Sequence, residues 1–135
     1  MPISALQVFF DLLFSYNLFL PLTLKLASLN INGINNVKKQ LMLIDHMKYN
    51  KIDILFIQEH NIRDVNNICP KLNELYFIIL NLAIAHKGGT AILIDRRLEY
   101  KIINHEMSAD SRIISCFIEL YNKSLHLINV YAPSG

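Results

Sequence analysis

Residues 24–59 read LKLASLNINGINNVKKQLMLIDHMKYNKIDILFIQE, and this stretch decides the architecture. Residues 24–30 alternate, which is the pattern of a strand with one covered face. Asn30, Ile31, Asn32 and Gly33 are rich in turn formers and close that strand. Asn35 or Asn36 then offers a side-chain oxygen to the free N–H groups of a helix start. Val37, Leu41, Ile44 and Lys48 recur at helical spacing, so residues 36–50 read as an amphipathic helix. Residues 52–57 are apolar on both faces apart from Asp53, as in a strand covered on both sides. Strand, helix, strand predicts a parallel pair whose carboxyl ends lie side by side.

Downstream the helical pattern fades. Residues 61–68 allow one short helix before Pro70. Strands then follow in series over residues 75–80, 90–94, 99–105, 112–120 and 124–131. The last two are joined by Tyr121, Asn122 and Lys123 as a hairpin. Upstream, residues 8–22 (VFFDLLFSYNLFLPL) form an apolar run with no positive region before it, unlike a signal peptide. Asp11, Asn17 and Pro21 interrupt it, which disfavours a membrane span of about 20 apolar residues. The run reads as a local helix packed on the domain, or as an extension outside it, with residues 24–135 forming one strand-rich α/β unit.

Composition narrows the class. The 135 residues are 53% apolar and 18% charged, which excludes disorder as the main state. Lys plus Arg is 13 and Asp plus Glu is 11, a net charge of +2, so there is no strongly basic footprint for nucleic acid. Cys69 and Cys116 are far apart and suggest neither a zinc site nor a disulfide framework. They read as two small buried residues.

Four segments at strand ends carry the possible chemistry: SLNINGI (28–34), DILFIQEH (53–60), KGGTAILI (87–94) and INVYAPSG (128–135). Glu59 stands where a buried strand leaves its sheet, and ligands gather at the carboxyl ends of strands in α/β sheets. A carboxylate there suits a hard cation such as Mg²⁺. Asn30 and Asn32 end the neighbouring strand, and their amides can orient a carboxylate, hold a metal-bound water or donate to a phosphate. Tyr131 closes the last strand with a hydroxyl that can reach a phosphate. His60, beside Glu59, can be cast as a base or as a surface residue. Lys38 and Lys39 occupy the first helical turn, where a cation opposes the helix dipole unless an anion approaches.

In this order and at these spacings, the four segments resemble the N-terminal half of the endonuclease/exonuclease/phosphatase superfamily. They are most similar to the apurinic-endonuclease-like domain that opens the polyprotein of LINE-type (non-LTR) retrotransposons. The resemblance covers residues 24–135. It implies a DNase I-like, four-layer α/β sandwich of two facing sheets with helices outside. It also implies Mg²⁺-dependent phosphodiester hydrolysis, with nicking of target DNA to prime reverse transcription. By this resemblance Asn30 arranges the site, Glu59 binds the metal with Gln58 as its usual neighbour, and Tyr131 lies near the scissile phosphate. Asn32 falls where repair-type relatives carry an acidic residue, and a neutral amide there weakens metal binding. Ser134 stands where many relatives carry Asn.

By the same resemblance, the family's later Asp-x-Asn and Ser-Asp-His segments would lie beyond Tyr131. The chain by itself is therefore expected to be inactive and to need the C-terminal half of the domain as a partner. An apolar sheet face that a missing sheet should cover is expected to promote self-association. Two other readings stay open. One is another branch of the superfamily, a phosphatase or an exonuclease. The other is a non-enzymatic protein held at a membrane by residues 8–22. The sequence fixes no compartment, although a retrotransposon protein would work in the nucleus or cytoplasm.

Overall fold

A computed structural model describes residues 10–19, 22–85, 87–121 and 123–133. The elements run β1 (Phe10–Phe19), β2 (Leu22–Asn30), α1 (Val37–Tyr49), β3 (Ile54–Gln58), a 3₁₀ turn (Val65–Asn67) and α2 (Pro70–Leu75). They continue with β4 (Tyr76–Asn81), β5 (Thr90–Asp95), β6 (Tyr100–Met107), β7 (Ile113–Leu120) and β8 (Lys123–Val130). They build a five-stranded sheet in the order β1-β2-β3-β5-β4 and a three-stranded sheet in the order β6-β7-β8. Among the described residues only β2 and β3 pair in parallel, with Asn30 opposite Gln58 at their carboxyl ends. The other pairs are antiparallel.

The helix begins at its expected cap. The Asn36 side chain accepts from the Lys39 N–H at 2.9 Å, which satisfies one of the free donors of the first turn. Its buried residues are Gln40, Met42, Leu43, Ile44 and Met47, whereas Val37 and Leu41 are exposed. The expected apolar stripe was therefore rotated about the axis, with Ile44 alone shared. Gln40 explains the difference. Its amide nitrogen donates to Ile34 O at 2.9 Å and Asn67 O at 2.7 Å, and its oxygen accepts from the Cys69 N–H at 2.7 Å. A fully bonded amide can sit on the buried face at little net cost.

α1 and α2 cover one face of the large sheet through Ala27, Leu29, Leu43, Met47, Leu55, Ile57, Leu72 and Leu93. Leu24, Leu26, Ile54, Ile79, Ile92 and Ile94 on the other face meet Ile114, Cys116, Ile118, Leu120 and Leu127 of the small sheet. β3 and β5 thus alternate between two cores, which is why their sequences are continuously apolar. Each fully buried Leu or Ile stabilises the fold by about 1.5–3 kcal/mol.

Two expectations are corrected. Residues 10–19 are not helical but form β1, antiparallel to β2. The short helix allowed in residues 61–68 is the 3₁₀ turn Val65–Asn67, and Pro70 opens a further helix, α2, from its first turn, where a missing N–H costs nothing. The large sheet does not await a missing sheet either, because β6–β8 cover it. Four exposed apolar residues, Ile113, Phe117, Ile128 and Val130, lie on the outer side of the small sheet. Both cysteines are buried, as expected. Among the described residues, no helix is long and apolar enough to cross a membrane.

Candidate functional site

The site forms where β2, β3 and β8 run out together. The loop after β2 is laced to the loop after β3 through the backbone. The Ile31 N–H donates to Gln58 O at 3.0 Å, that of Gly33 to Glu59 O at 2.8 Å, and that of Ile34 to His60 O at 2.9 Å. On the other side the N–H groups of Glu59 and Asn61 donate to Gly89 O and Gly88 O, both at 2.9 Å. Glu59 has φ 56°, a left-handed conformation that costs a non-glycine residue energy. Five backbone bonds on two sides hold the segment there.

Glu59 is half-buried, and its Oε1 accepts from the Tyr131 hydroxyl. Tyr131 is fixed in turn by its own N–H, which donates to Arg112 O at 2.8 Å. The bond to Glu59 raises the phenol pKa above the ordinary tyrosine value, so Tyr131 stays protonated near neutral pH. Two residues expected at the site from separate segments are thus in contact. Asn30 is half-buried at the end of β2, and Asn32 is exposed in the following loop with φ 51°. Asn30 lies opposite Gln58 across the parallel pair, and no hydrogen bond joins either amide to the Glu59 carboxylate among the described residues.

His60 is neither a surface residue nor an available base. It is fully buried, Nδ1 accepts from the Ile62 N–H at 2.8 Å, and Nε2 lies 2.9 Å from Asn81 O. The accepting Nδ1 puts the proton on Nε2, and burial lowers the ring's pKa. Gly89, with φ 88°, packs directly on this ring, and a Cβ there would collide with it. Gly89 is therefore required by the fit over His60 as well as by its backbone angle, and Gly88 by its backbone angle alone. Ser134 lies outside the described residues.

A cleft of about 450 Å³ opens beside the Glu59–Tyr131 pair. Lys87, Asp110 and Arg112 line it together with Gly88, Gly89 and Pro133. The sequence reading missed these three charged residues. Their signal was weak: Lys87 merely precedes the glycine pair, and Arg112 merely precedes a strand. The turn before β7 presents Arg112. Ser108 Oγ donates to Asp110 Oδ1 at 2.6 Å and accepts from the Arg112 and Ile113 N–H groups at 3.2 and 2.9 Å. The Arg112 guanidinium stays 3.9 Å from Asp110, a loose pair that leaves its donors usable. Lys38 and Lys39 lie outside this lining. No cluster of three or more His, Cys, Asp or Glu that could hold a metal occurs among the described residues.

No protein-family model matches the chain, and no curated protein does. Solved structures do. An AP endonuclease from Archaeoglobus fulgidus superposes with a TM-score of 0.60 at 24% identity, over 82% of this chain and 41% of that one. TDP2 from Caenorhabditis elegans gives 0.63 at 25% identity, over 83% and 36%. TDP2 from D. rerio, complexed with a single-strand DNA product, gives 0.57 at 16% identity, over 78% and 44%. The chain thus spans well under half the length of each of these structures. They are members of the DNase I-like endonuclease/exonuclease/phosphatase fold, and the two-sheet architecture of this chain is that fold.

Proposed function

We propose that this chain is the site-bearing N-terminal part of a metal-dependent DNA phosphodiester hydrolase, of the kind that nicks target DNA for non-LTR retrotransposons. The observation that carries the reading is the Glu59–Tyr131 hydrogen bond, made at the joined ends of β2, β3 and β8 and bordered by the Lys87 and Arg112 cations. The retrotransposon assignment rests on the SLNINGI and NVYAPSG segments, and on Asn32 in place of an acidic residue.

The donor set fits Mg²⁺ in a minimal way. This ion keeps several waters and is commonly bound by one or two carboxylates plus substrate phosphate oxygens. Glu59 would hold it through the oxygen that Tyr131 leaves free, with the Asn30 and Asn32 amides beside it. When bound, the ion would polarise a phosphoryl oxygen and neutralise developing charge. Tyr131 orients the Glu59 carboxylate and keeps a hydroxyl at the cleft. Lys87 and Arg112 attract the phosphate backbone, Arg112 with the planar donor fork that matches phosphate oxygens. His60, neutral and fully bonded, moves no proton. Of the two carboxylates at the cleft, Glu59 is bonded to Tyr131 and Asp110 to Ser108, so these residues position a phosphodiester without activating water. We therefore expect the 135 residues alone not to hydrolyse DNA.

Two assays test this. Anisotropy of a labelled duplex should show Mg²⁺-supported binding that weakens with salt, and several-fold in Arg112→Ala or Lys87→Ala. Supercoiled plasmid in Mg²⁺ should stay intact. Nicking that disappears in Glu59→Ala would overturn the predicted inactivity, and the absence of any DNA binding would overturn the reading itself. End-processing of single strands is the second reading, suggested by the neighbour bound to a single-strand product. Preference for a labelled single strand over the duplex would favour it.

A further inference from the structure

Between the two sheets, next to the site, lies a buried chain of amides. Asn129 faces inward from β8 and is 2% exposed. Its Nδ2 donates to Ile57 O and Ala91 O, both at 2.8 Å, on the adjacent strands β3 and β5. Its Oδ1 accepts from Gln58 Nε2 at 2.7 Å, and the same nitrogen donates to Ser28 Oγ on β2 at 3.1 Å. One side chain of the small sheet thereby grips two strands of the large one directly and a third, β2, through Gln58.

We propose that Asn129 is a positioning residue for the site: through the Ser28–Gln58–Asn129 clamp it sets the register in which Tyr131 meets Glu59. This rests on the reading of Glu59 as the metal-binding carboxylate. The geometry is a two-step ladder. Alternate residues of a strand share a face, and Tyr131, one residue past the end of β8 with its N–H still bonded to Arg112 O, continues the inward side of Asn129. The first grips Ile57, and the second grips Glu59, two residues further along in each case. Two residues of strand span about 6.6 Å, so a slip between the sheets at Asn129 carries almost undiminished to the carboxylate.

The chemistry of the surrounding core supports this role. The other inward residues of the small sheet, Ile114, Cys116, Ile118 and Leu127, are apolar. Apolar packing is not directional and resists sliding only through side-chain fit. An amide in that layer loses hydration unless each of its groups is bonded. Here both donor hydrogens and the acceptor are engaged, and no buried side-chain polar atom lacks a partner among the described residues. The clamp also gives Ser28 and Gln58, members of two of the four motif segments, a role that places neither of them on a ligand.

The test uses the full chain labelled with 3-fluorotyrosine, with Tyr131→Phe assigning one of the six tyrosine signals and Mn²⁺ as the probe. In the unmodified sequence Mn²⁺ should broaden the Tyr131 signal first. In Asn129→Ala the Tyr131 signal should move toward its position in Glu59→Ala, and the Mn²⁺ midpoint should rise about tenfold, as for other partners of metal ligands. Ile118→Val, which loosens the same core away from the clamp, should change neither. Gln58→Met keeps both carbonyl bonds of Asn129 and should give the same changes at smaller size, which decides the matter if Asn129→Ala does not fold. An unmoved Tyr131 signal in a folded clamp variant overturns the proposal. If Glu59→Ala leaves the Mn²⁺ broadening intact, the metal reading falls instead, and the clamp stands or falls on the Tyr131 shift alone.

Discussion

The two sheets meet water differently. The large sheet is covered by α1 and α2 on one face and by the small sheet on the other, and β5 is buried at every position. The small sheet is covered on one face only. Along β7, Ile114, Cys116, Ile118 and Leu120 are buried, while Ile113 and Phe117 are 42% and 43% exposed. Glu59 directly follows β3 of the doubly covered sheet, and its partner Tyr131 directly follows β8 of the singly covered one. The difference separates support from access. A strand buried on both faces cannot shift, so its end is a rigid base for a carboxylate. The other sheet brings in the groups that line the cleft.

The strongest way to break this comparison is to open the doubly covered sheet. Leu55 is fully buried on the helix side of β3. Leu55→Ala should cost about 2–5 kcal/mol, the usual range for such a cavity. Urea midpoints would show it. A cost below about 1 kcal/mol would mean that the helix layer is loosely packed and that the two sheets are less different than their burial implies.

Next in size is the loop that ties the large sheet to the site. Gly89→Ala meets two obstacles, a positive φ and the His60 ring, whereas Gly88 has a positive φ of 113° and open space around it. A strained residue costs about 1–3 kcal/mol. Gly89→Ala should therefore lower the thermal midpoint more than Gly88→Ala, and it alone should disturb Glu59 through the Gly89 carbonyl. Equal losses would show that only the backbone angle matters there.

The sequence made much of this legible, and the exceptions share a cause. β3 and β5 were readable because a strand covered on both sides must be apolar throughout. The start of α1 was readable because Asn36 caps its own neighbour Lys39. Glu59 and Tyr131 were readable because they sit at strand ends within recognisable segments. The rest depends on partners distant in sequence. Asn129 gives no local sign of its partner Ile57, 72 residues away. Gln40 gives no local sign of its partners Ile34, Asn67 and Cys69. β1 reads as a helix when taken alone, and β2 decides otherwise. α2 is six residues long, too short for a periodic pattern to emerge.

A smaller effect is expected at the other end of the large sheet. Asp95 ends β5 on the helix side. Burial by itself would raise its pKa, but hydrogen bonds from the Arg97 side chain and backbone outweigh this, so the carboxyl titrates below its ordinary value. A depressed carboxylate adds stability that is present above its unfolded pKa and is lost as pH falls through the folded one. Arg97 is 85% exposed along its side chain, so the pair is worth less than about 1 kcal/mol. Arg97→Ala should shrink the stability difference between pH 7 and pH 3 by that much. A larger acid sensitivity in the variant would reverse the assignment.

The smallest effect on stability is expected at the bare face, and there the comparison is sharpest. Phe117 stacks on His126 with ring centroids 3.9 Å apart, and Ser115 Oγ lies 2.6 Å from His126 Nε2. These contacts stay on the outer surface and bury no core. Phe117→Ser should change the urea midpoint by no more than about 0.5 kcal/mol, as at other surface positions. Its effect should fall on association instead. Ile113 and Val130 are paired neighbours on this face, and with Phe117 and Ile128 they form an apolar patch of a kind that drives proteins together. Sedimentation velocity at rising concentration should show self-association in the unmodified sequence and less of it in Phe117→Ser. If the two sediment alike, the exposed face is not the sticky one, and the unpaired edges of the small sheet become the next place to look.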